Sequence, residues 1–296
     1  MKYQIVHATT YEYSESVSVS HHLARLVPRT LTRQACTQHE IQIDPPPGFT
    51  TDHLDYFGNA MTFFIMQSAH KRLTVRARSV LELHAAPPPA LTSTPPWEQA
   101  LDTTRMPLDA VDCSLDAIPT RLRTALASYT QPSFTAGRPL LEAVADLTAR
   151  IHADFTYDPS ATIVATPLMQ VFDSKRGVCQ DFARLEIACL RTLGLAARYV
   201  SGYLETVPAP GVRRLTGADA SHAWLAVYGP EIGWVDVDPT NNLFPSDRHI
   251  TLAWGRDYGD VSPIRGVILG GGEHSLKVSV DVSRLDDGPT SSVTQS

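Results

Sequence analysis

A proline-rich segment divides this chain into two parts with different hydrophobic patterns. Residues 85–97 include Pro87-Pro88-Pro89 and Pro95-Pro96. Proline fixes φ and has no backbone N–H, so this stretch sustains neither a helix nor a strand inside a sheet. We therefore expect a proline-rich linker at residues 86–98 with a folded unit on each side of it.

The first unit, residues 1–85, has the pattern of a β-rich domain. Segments rich in β-branched and aromatic residues, several of them alternating, predict strands at residues 3–13, 22–27, 39–43, 60–67 and 73–83. Gly58-Asn59 predicts a hairpin turn, because both residues tolerate positive φ. Short strands at this spacing favour a sandwich-like β domain.

The second unit, residues 99–285, combines helical and strand patterns. Helical spacing predicts helices at 115–129, 139–155 and 178–194, and strand patterns follow at 197–204, 222–228, 234–238 and 276–282. Helices followed by antiparallel strands predict an α+β fold, with the helices packed on the sheet. The remaining residues, 286–296, are rich in Ser, Thr, Gly and Asp, and we expect a flexible tail there.

Composition excludes several classes of function. The formal net charge is -6 and no Lys/Arg-rich run stands out, so we expect no nucleic-acid partner and no membrane partner. The N-terminus lacks the apolar core of a secretory signal, and no apolar run is long enough to span a bilayer. These features predict a cytoplasmic protein. The four cysteines are scattered without a CxxC pair, so we expect each to be a free thiol.

Cys179 is the strongest candidate for a nucleophile. Gly177 marks a turn that leads into the predicted third helix, and Cys179 falls at the start of that helix. Unpaired backbone N–H groups and the helix dipole stabilise a thiolate there, and the same groups can stabilise an oxyanion next to the sulfur. Lys175 and Arg176 add positive charge to the segment. Cys189, on the apolar stripe of the same helix, is interpreted as core.

A nucleophilic cysteine requires a base and a group that orients the base. His222 lies at the head of a predicted strand, where its side chain can project into a cleft. Asp238 ends the next predicted strand, immediately before Pro239, and adjacent antiparallel strands would bring the two residues side by side. Asp236 competes for the role of acid, since strand alternation puts both aspartates on one face and does not separate them.

Four blocks resemble the bacterial transglutaminase-like family, in the family's order. They are Gly177-Val178-Cys179-Gln180-Asp181-Phe182-Ala183, residues 194–203, Ala220-Ser221-His222-Ala223-Trp224 and residues 234–241. Residues 3–29 are similar to the β-rich N-terminal region that accompanies this core in many bacterial members. Residues 255–263 and 278–281 also resemble segments of the same family. The resemblance therefore extends over nearly the whole chain.

The resemblance implies a papain-like, transglutaminase-like core at residues 99–285 and a cysteine triad. It places the nucleophile at Cys179, the general base at His222 and the orienting acid at Asp238, in preference to Asp236. The implied reaction is acyl transfer through a thioester, on a protein or peptide substrate. Family analogy favours hydrolysis, as in a cysteine protease or amidase, over transfer to an amine.

Several alternatives remain open at this stage. One is a cross-linking protein-glutamine gamma-glutamyltransferase, and another is a non-catalytic protein-binding module with the same fold. A third is a metal site built from Cys179, His222 and either aspartate, although no close-spaced ligand pair supports it. We expect no cofactor, because the sequence has no EF-hand-like acidic loop. Gln180 and Asp181 are candidates for supporting roles, and Gln170 and Trp224 for a second oxyanion donor.

Overall fold

The fold is given by a computed structural model that describes residues 1–115, 118–205 and 221–285. The tail predicted at 286–296 lies outside these residues. The first part of the chain forms strands β1 (Lys2–Ala24), β2 (Gln34–Asp44), β3 (Phe49–Leu54), β4 (Ala60–Met66) and β5 (His70–Leu83). Gly58 has a φ of 72° in the loop between β3 and β4, which confirms the predicted hairpin turn.

The second part of the chain alternates helices and strands. In chain order, its elements are α1 (Leu108–Ser114), α2 (Thr120–Thr130), α3 (Leu140–Asp154), β6 (Thr156–Tyr157), α4 (Leu168–Ser174), β7 (Arg176–Gly177), α5 (Cys179–Thr192), β8 (Ala197–Leu204), β9 (Ser221–Gly229), β10 (Gly233–Val237), β11 (His249–Gly255), α6 (Tyr258–Val261), β12 (Ile264–Gly270) and β13 (His274–Arg284). Short 3-10 turns lie at Leu91–Ser93, Trp97–Leu101, Thr103–Arg105 and Gln131–Ser133. Among the described residues, none of the helices has the length and apolar character needed to cross a bilayer.

The long strand β1 organises the N-terminal sheet by changing partners along its length. Its first half pairs with β5 on one side and β13 on the other, and its second half pairs with β4 and β12. The pairing with β5 shifts register between Glu12 and Val17. The sheet curls as a result, and Phe64 and Met66 of β4 pack against Leu73 and Val75 of β5 in a common core.

A four-stranded antiparallel sheet, in the order β10-β9-β8-β11, forms the second unit. Its main core lies between this sheet and helices α2, α3 and α5. The apolar stripe of α3 is buried, as its periodicity predicts, and consists of Leu140, Leu141, Val144, Leu147 and Ile151. Gly194 follows α5 with a φ of 85°, which is the left-handed conformation expected of a glycine after a helix. The predicted α+β class is therefore confirmed.

The last two strands join the N-terminal sheet. Both β12 and β13 form hydrogen bonds with β1, whereas the sequence placed all of residues 99–285 in the second unit. The chain thus returns to its first strand after completing the helical unit. The predicted units, residues 1–85 and 99–285, follow sequence order and therefore do not include this return. β-pairing joins strands that lie far apart in the chain, and sequence order does not show such pairing.

An apolar layer joins the two sheets. It consists of Tyr3, Ile5, Leu81, Leu83, Val280 and Val282 from the first sheet and Tyr203, Ile250 and Leu252 from the second. Beside this layer, Glu205 accepts hydrogen bonds from Tyr3 Oη at 3.1 Å and from Arg284 Nη2 at 2.7 Å. These contacts fix the N-terminal sheet against strands β8 and β11, next to the site described below.

Candidate active site

Cys179 is the first residue of α5, and the turn before it is held by Asp181. The Asp181 carboxylate Oδ2 accepts hydrogen bonds from the backbone N–H of Val178 at 3.0 Å and from Thr162 Oγ1 at 2.6 Å. A Cβ on Gly177 would lie 2.9 Å from Asp181 Cβ, so a side chain at this position would displace Asp181. The sequence singled out Asp181 for a supporting role, and its hydrogen bonds position the start of the helix.

The first turn of α5 presents free backbone donors beside the sulfur. Among the described residues, the N–H groups of Cys179 and Gln180 have no hydrogen-bond acceptor, whereas those of Asp181 and Phe182 bond to Val178 O. Two unpaired N–H groups at a helix N-terminus favour a negative charge next to them. The start of α5 therefore has donors available for an oxyanion.

His222 lies at the beginning of β9, opposite Gly202 of β8. A Cβ on Gly202 would come within 2.4 Å of the Trp224 ring and 2.1 Å of Ile250 O, so only glycine leaves room for that ring. Trp224 is completely buried, and its ring centroid lies 5.9 Å from that of His222. Trp224 thus packs near His222 on the side away from the cleft. Because it does not line the cleft, it does not act directly as an oxyanion donor.

Asp238 lies just beyond the end of β10 and is the centre of a buried hydrogen-bond network. His222 Nε2 is 2.7 Å from Asp238 Oδ2, and His249 Nε2 is 2.9 Å from the same oxygen. Asn241 Nδ2 donates to Oδ2 at 2.7 Å, and the backbone N–H groups of Thr240 and Asn241 donate to Oδ1 at 2.9 and 3.2 Å. An ionised carboxylate only accepts hydrogen bonds, and both oxygens of this fully buried group have donors.

The network shifts the pKa values of both residues. Burial raises the pKa of the Asp238 carboxyl, but hydrogen bonds from His222, His249 and Asn241 outweigh burial and lower it well below its usual range. Burial lowers the pKa of His222, but hydrogen bonds with Asp238 and Cys179 outweigh burial and raise it to about 10. Asp238 is therefore ionised at neutral pH, and its charge stabilises the protonated form of His222.

The remaining nitrogen of His222 faces the cysteine. Nε2 is hydrogen-bonded to Asp238, so Nδ1 is the nitrogen that remains for an interaction with Cys179, which also raises the pKa of His222. Cys179 is half-buried and His222 is 8% exposed, so both reach the surface of a cleft while Asp238 lies entirely behind them. The structure thus places the three candidate residues together: Asp238 is hydrogen-bonded to His222, and His222 lines the same cleft as Cys179.

The cleft above Cys179 has a volume of about 390 Å³ and receives residues from both units. The second unit contributes Tyr157, Val164, Tyr199 and Tyr258, among others, and β1 and β13 contribute His7, Thr9, Tyr11, Leu276 and Val278. The N-terminal sheet therefore forms part of the wall of the site. Sequence patterns alone did not reveal this contribution, since these residues lie about 100 or more positions from Cys179.

The competing carboxylate, Asp236, lies in different surroundings. Arg33 Nη2 is 3.4 Å from Asp236 Oδ2, and the two side chains are 19% and 22% exposed. Strand β10 ends at Val237, and Asp238 instead forms an isolated bridge with Leu243. The end of the strand, and not alternation along it, separates the two aspartates.

Three other candidates from the sequence lie outside the cleft. Gln170 is exposed on α4 and does not line the site. The Lys175 ammonium packs over the rings of Tyr129, Phe155 and Phe172 at 4.2–4.8 Å, and Arg176 forms an ion pair with Asp158. Both cations are therefore engaged in structural contacts outside the cleft. Gln180, by contrast, lines the cleft next to Cys179.

The four cysteines are free thiols in distinct environments. Burial raises the pKa of Cys189 to about 12 and that of Cys113 to about 11, and burial also raises the pKa of Cys36. Cys189 is completely buried in the main core, as predicted. Cys179 is the cysteine that lines the cleft beside a histidine.

Three side chains of the network are also suitable metal ligands by type. Donor atoms of His222, Asp238 and His249 all lie within 4.8 Å of one another. Both histidine nitrogens, however, lie at hydrogen-bond distance from one carboxylate oxygen and donate protons to it, whereas a nitrogen that binds a metal must be unprotonated. Hydrogen bonding accounts for the arrangement, and His249 is a member that the sequence reasoning missed.

Comparison with protein families gives one match in each of the two units of the chain. Residues 3–82 match the model described as the bacterial transglutaminase-like N-terminal region, and residues 127–239 match the transglutaminase-like superfamily. The second match includes Cys179, His222 and Asp238.

Comparison with individual proteins gives relatives over the full length and over parts of the chain. An uncharacterized protein of Mycobacterium tuberculosis is 42% identical over 289 residues, which cover 95% of this chain and 92% of the relative. A protein-glutamine gamma-glutamyltransferase of Pseudomonas aeruginosa is 32% identical over 129 residues, which cover 37% of this chain and 19% of that protein. A crystal structure described as a candidate cysteine protease of Cytophaga hutchinsonii has a TM-score of 0.74, 19% identity and coverage of 97% of this chain and 91% of that one, which establishes a similar fold.

Proposed function

This chain belongs to the transglutaminase-like superfamily, and we propose that it is a cysteine-dependent acyl-transfer enzyme that hydrolyses amide or peptide bonds. The observation that carries the proposal is the buried hydrogen bond between Asp238 and His222, together with a half-buried Cys179 at a helix N-terminus that lines the same cleft as His222. A nucleophile, a base and a group that orients the base are the parts that covalent acyl transfer requires.

The reaction follows from the roles of these groups. Because the pKa of His222 is raised to about 10, the proton of the Cys179 thiol resides on His222 Nδ1, and the sulfur attacks the substrate carbonyl to form a tetrahedral oxyanion. The unpaired N–H groups of Cys179 and Gln180 are in position to stabilise that oxyanion. Protonated His222 then gives its proton to the leaving amine, which departs and leaves a thioester on Cys179. Water then gives a proton to His222 and attacks the thioester, which releases the acid and regenerates the Cys179 sulfur with the proton on His222.

The lining of the cleft favours water over an amine as the second nucleophile. Among the described residues, no Asp or Glu lines the cleft, so no carboxylate there would attract a lysine ammonium group. Cys179 is half-buried in an open cleft, where water reaches the thioester. Transfer to an amine is the second candidate, because a relative that matches 37% of this chain is a protein-glutamine gamma-glutamyltransferase.

All four cysteines are free thiols, as in proteins of reducing compartments, and we propose a cytoplasmic location on that basis. Cell fractionation followed by immunoblotting tests this point. Recovery of the protein in a periplasmic fraction would contradict it.

The proposed reaction is tested with a mixture of unmodified peptides in the presence of a fluorescent primary amine. We expect wild-type protein to release shorter peptides or free acids, and Cys179→Ala to release none while it keeps the melting temperature of wild type. Cys36→Ala is the matched control and should retain full activity, because Cys36 lies on β2 and does not line the cleft.

Each outcome separates the candidate functions. Mass spectrometry that finds mainly amine adducts would reassign the enzyme as a transferase. Turnover that persists in Cys179→Ala would refute the mechanism. A complete lack of turnover, together with a Cys179 that is as unreactive as Cys189, would favour the binding module.

A further inference from the structure

The N-terminal sheet presents exposed apolar side chains to the cleft. Leu276 and Val278 of β13 are 56% and 47% exposed, although both are large and apolar. Along the same strand, Val280 and Val282 are buried in the layer between the two sheets. Side chains two positions apart share a strand face, so the face that holds the sheets together continues directly into the cleft.

This wall is fixed to the catalytic sheet. His7 of β1 is almost fully buried at the edge of the cleft, with Nδ1 2.9 Å from Tyr203 Oη of β8 and Nε2 3.0 Å from Thr9 Oγ1. The register pairs His7 with Val280 and Thr9 with Val278, so the hydrogen bonds hold β13 as well as β1. The apolar wall therefore has a fixed position relative to Cys179.

Apart from protonated His222, the described lining of the cleft carries no fixed charge. No Asp, Glu, Lys or Arg contributes to it among the described residues. Burial lowers the pKa of His7 to about 4, so this histidine is neutral at neutral pH. Tyr157 and Val164, 52% and 58% exposed, add apolar surface from the second unit. A charged group placed here would lose hydration without gaining a partner.

We propose that the β13 wall, Leu276 and Val278, makes the enzyme selective for substrates that carry an aliphatic or aromatic side chain close to the scissile amide. This selectivity concerns the substrate class of the site described under the proposed function and therefore rests on it. The apolar side chain lies against Leu276 and Val278 and removes their exposed surface from water, which favours its binding. A side chain with a charge is disfavoured at the same place.

The proposal is tested by alkylation, which requires binding near Cys179 but no turnover. Iodoacetamide and N-hexyl iodoacetamide each form a bond between the Cys179 sulfur and the reagent's methylene carbon, with loss of iodide. They differ in the apolar chain. Burial of a few methylene groups of that chain predicts about tenfold faster alkylation by the hexyl reagent in wild-type protein. Rates are measured at Cys179 by peptide mass mapping.

Two matched double variants locate the effect. Leu276→Ser with Val278→Ser removes the wall, and Val267→Ser with Leu269→Ser removes an equivalent pair on β12. Val267 and Leu269 are 73% and 61% exposed on the same sheet but do not line the cleft. We expect the first double variant to lose most of the about tenfold preference for the hexyl reagent and the second to keep it. Both should keep the wild-type rate with iodoacetamide.

Several results would overturn the proposal. They are equal rates for the two reagents in wild-type protein, an unchanged preference in the β13 variant, or an equal loss in both variants. Iodoacetamide alone reports on Cys179 and shows whether a variant has damaged the nucleophile. The preference for the hexyl reagent could change as expected although no amide is cleaved. That result would support the β13 wall as a binding surface and would refute the proposed hydrolysis.

Discussion

His249 donates a buried hydrogen bond of 2.9 Å to Asp238, on the same oxygen that binds His222. Burial lowers the pKa of His249, so it is a neutral donor and adds no positive charge beside His222. Its ring also meets Trp224 edge to face, with centroids 5.2 Å apart. His249 therefore holds the orientation of the carboxylate that in turn orients His222.

The first prediction concerns this positioning role. We expect His249→Phe, which keeps the ring and removes the N–H donor, to lower kcat about tenfold, since a hydrogen bond to a charged group contributes roughly 1.5–3 kcal/mol. KM should not change, because His249 does not line the cleft. His249→Gln retains an N–H donor and should recover part of the rate. Steady-state kinetics test this, and a change in KM with kcat intact would refute the positioning role.

The second prediction concerns the two aspartates. Asp238→Asn should lower kcat by at least about 100-fold, because the variant removes the charge that stabilises protonated His222. Asp236→Asn is the isosteric control and should leave kcat nearly unchanged, since Asp236 contacts Arg33 and not His222. Turnover and melting temperature are measured for both variants. The reverse ranking would assign the orienting role to Asp236.

The third prediction concerns thiol reactivity. With limiting iodoacetamide at neutral pH, Cys179 should be alkylated faster than Cys36, Cys113 and Cys189. Burial raises the pKa of all three comparison thiols, whereas Cys179 lines the cleft beside His222. Peptide mass mapping gives the four rates in one experiment. Equal rates would indicate that Cys179 is not activated.

The fourth prediction concerns pH. The pKa of His222 is raised to about 10 in the folded protein, against about 6.5 for an unperturbed histidine. The resulting stabilisation is complete below about pH 6.5 and is lost as the pH rises through about 10. Urea unfolding at about pH 6 and about pH 10.5 should show a smaller difference in free energy of unfolding between wild type and His222→Gln at the higher pH. An equal difference at both pH values would contradict the raised pKa.

Local patterns in the sequence were sufficient for several elements with a buried face, but not for strand β11, which is almost entirely buried and was not predicted. The stripe of α3, the bounds of α5 near Val178 and Gly194, and strand β8 follow from apolar periodicity and from the residues at helix ends. Strand β3 was missed because all of its residues are exposed, and β12 was missed because it is mostly exposed and contains glycine. Neither strand carries the alternation that a buried face produces.

The sequence by itself determined which residues are candidates for chemistry, because Cys179, His222 and Asp238 each lie at the end of an element that local patterns predict. Only the tertiary structure decided what surrounds them. It joined His249 to Asp238, separated Asp236 from it, and placed β13 beside a cysteine about 100 residues earlier in the chain. The physical reason is that hydrogen bonds and β-pairing act between groups that are close in space, and periodicity along a chain carries no information about which distant segments meet.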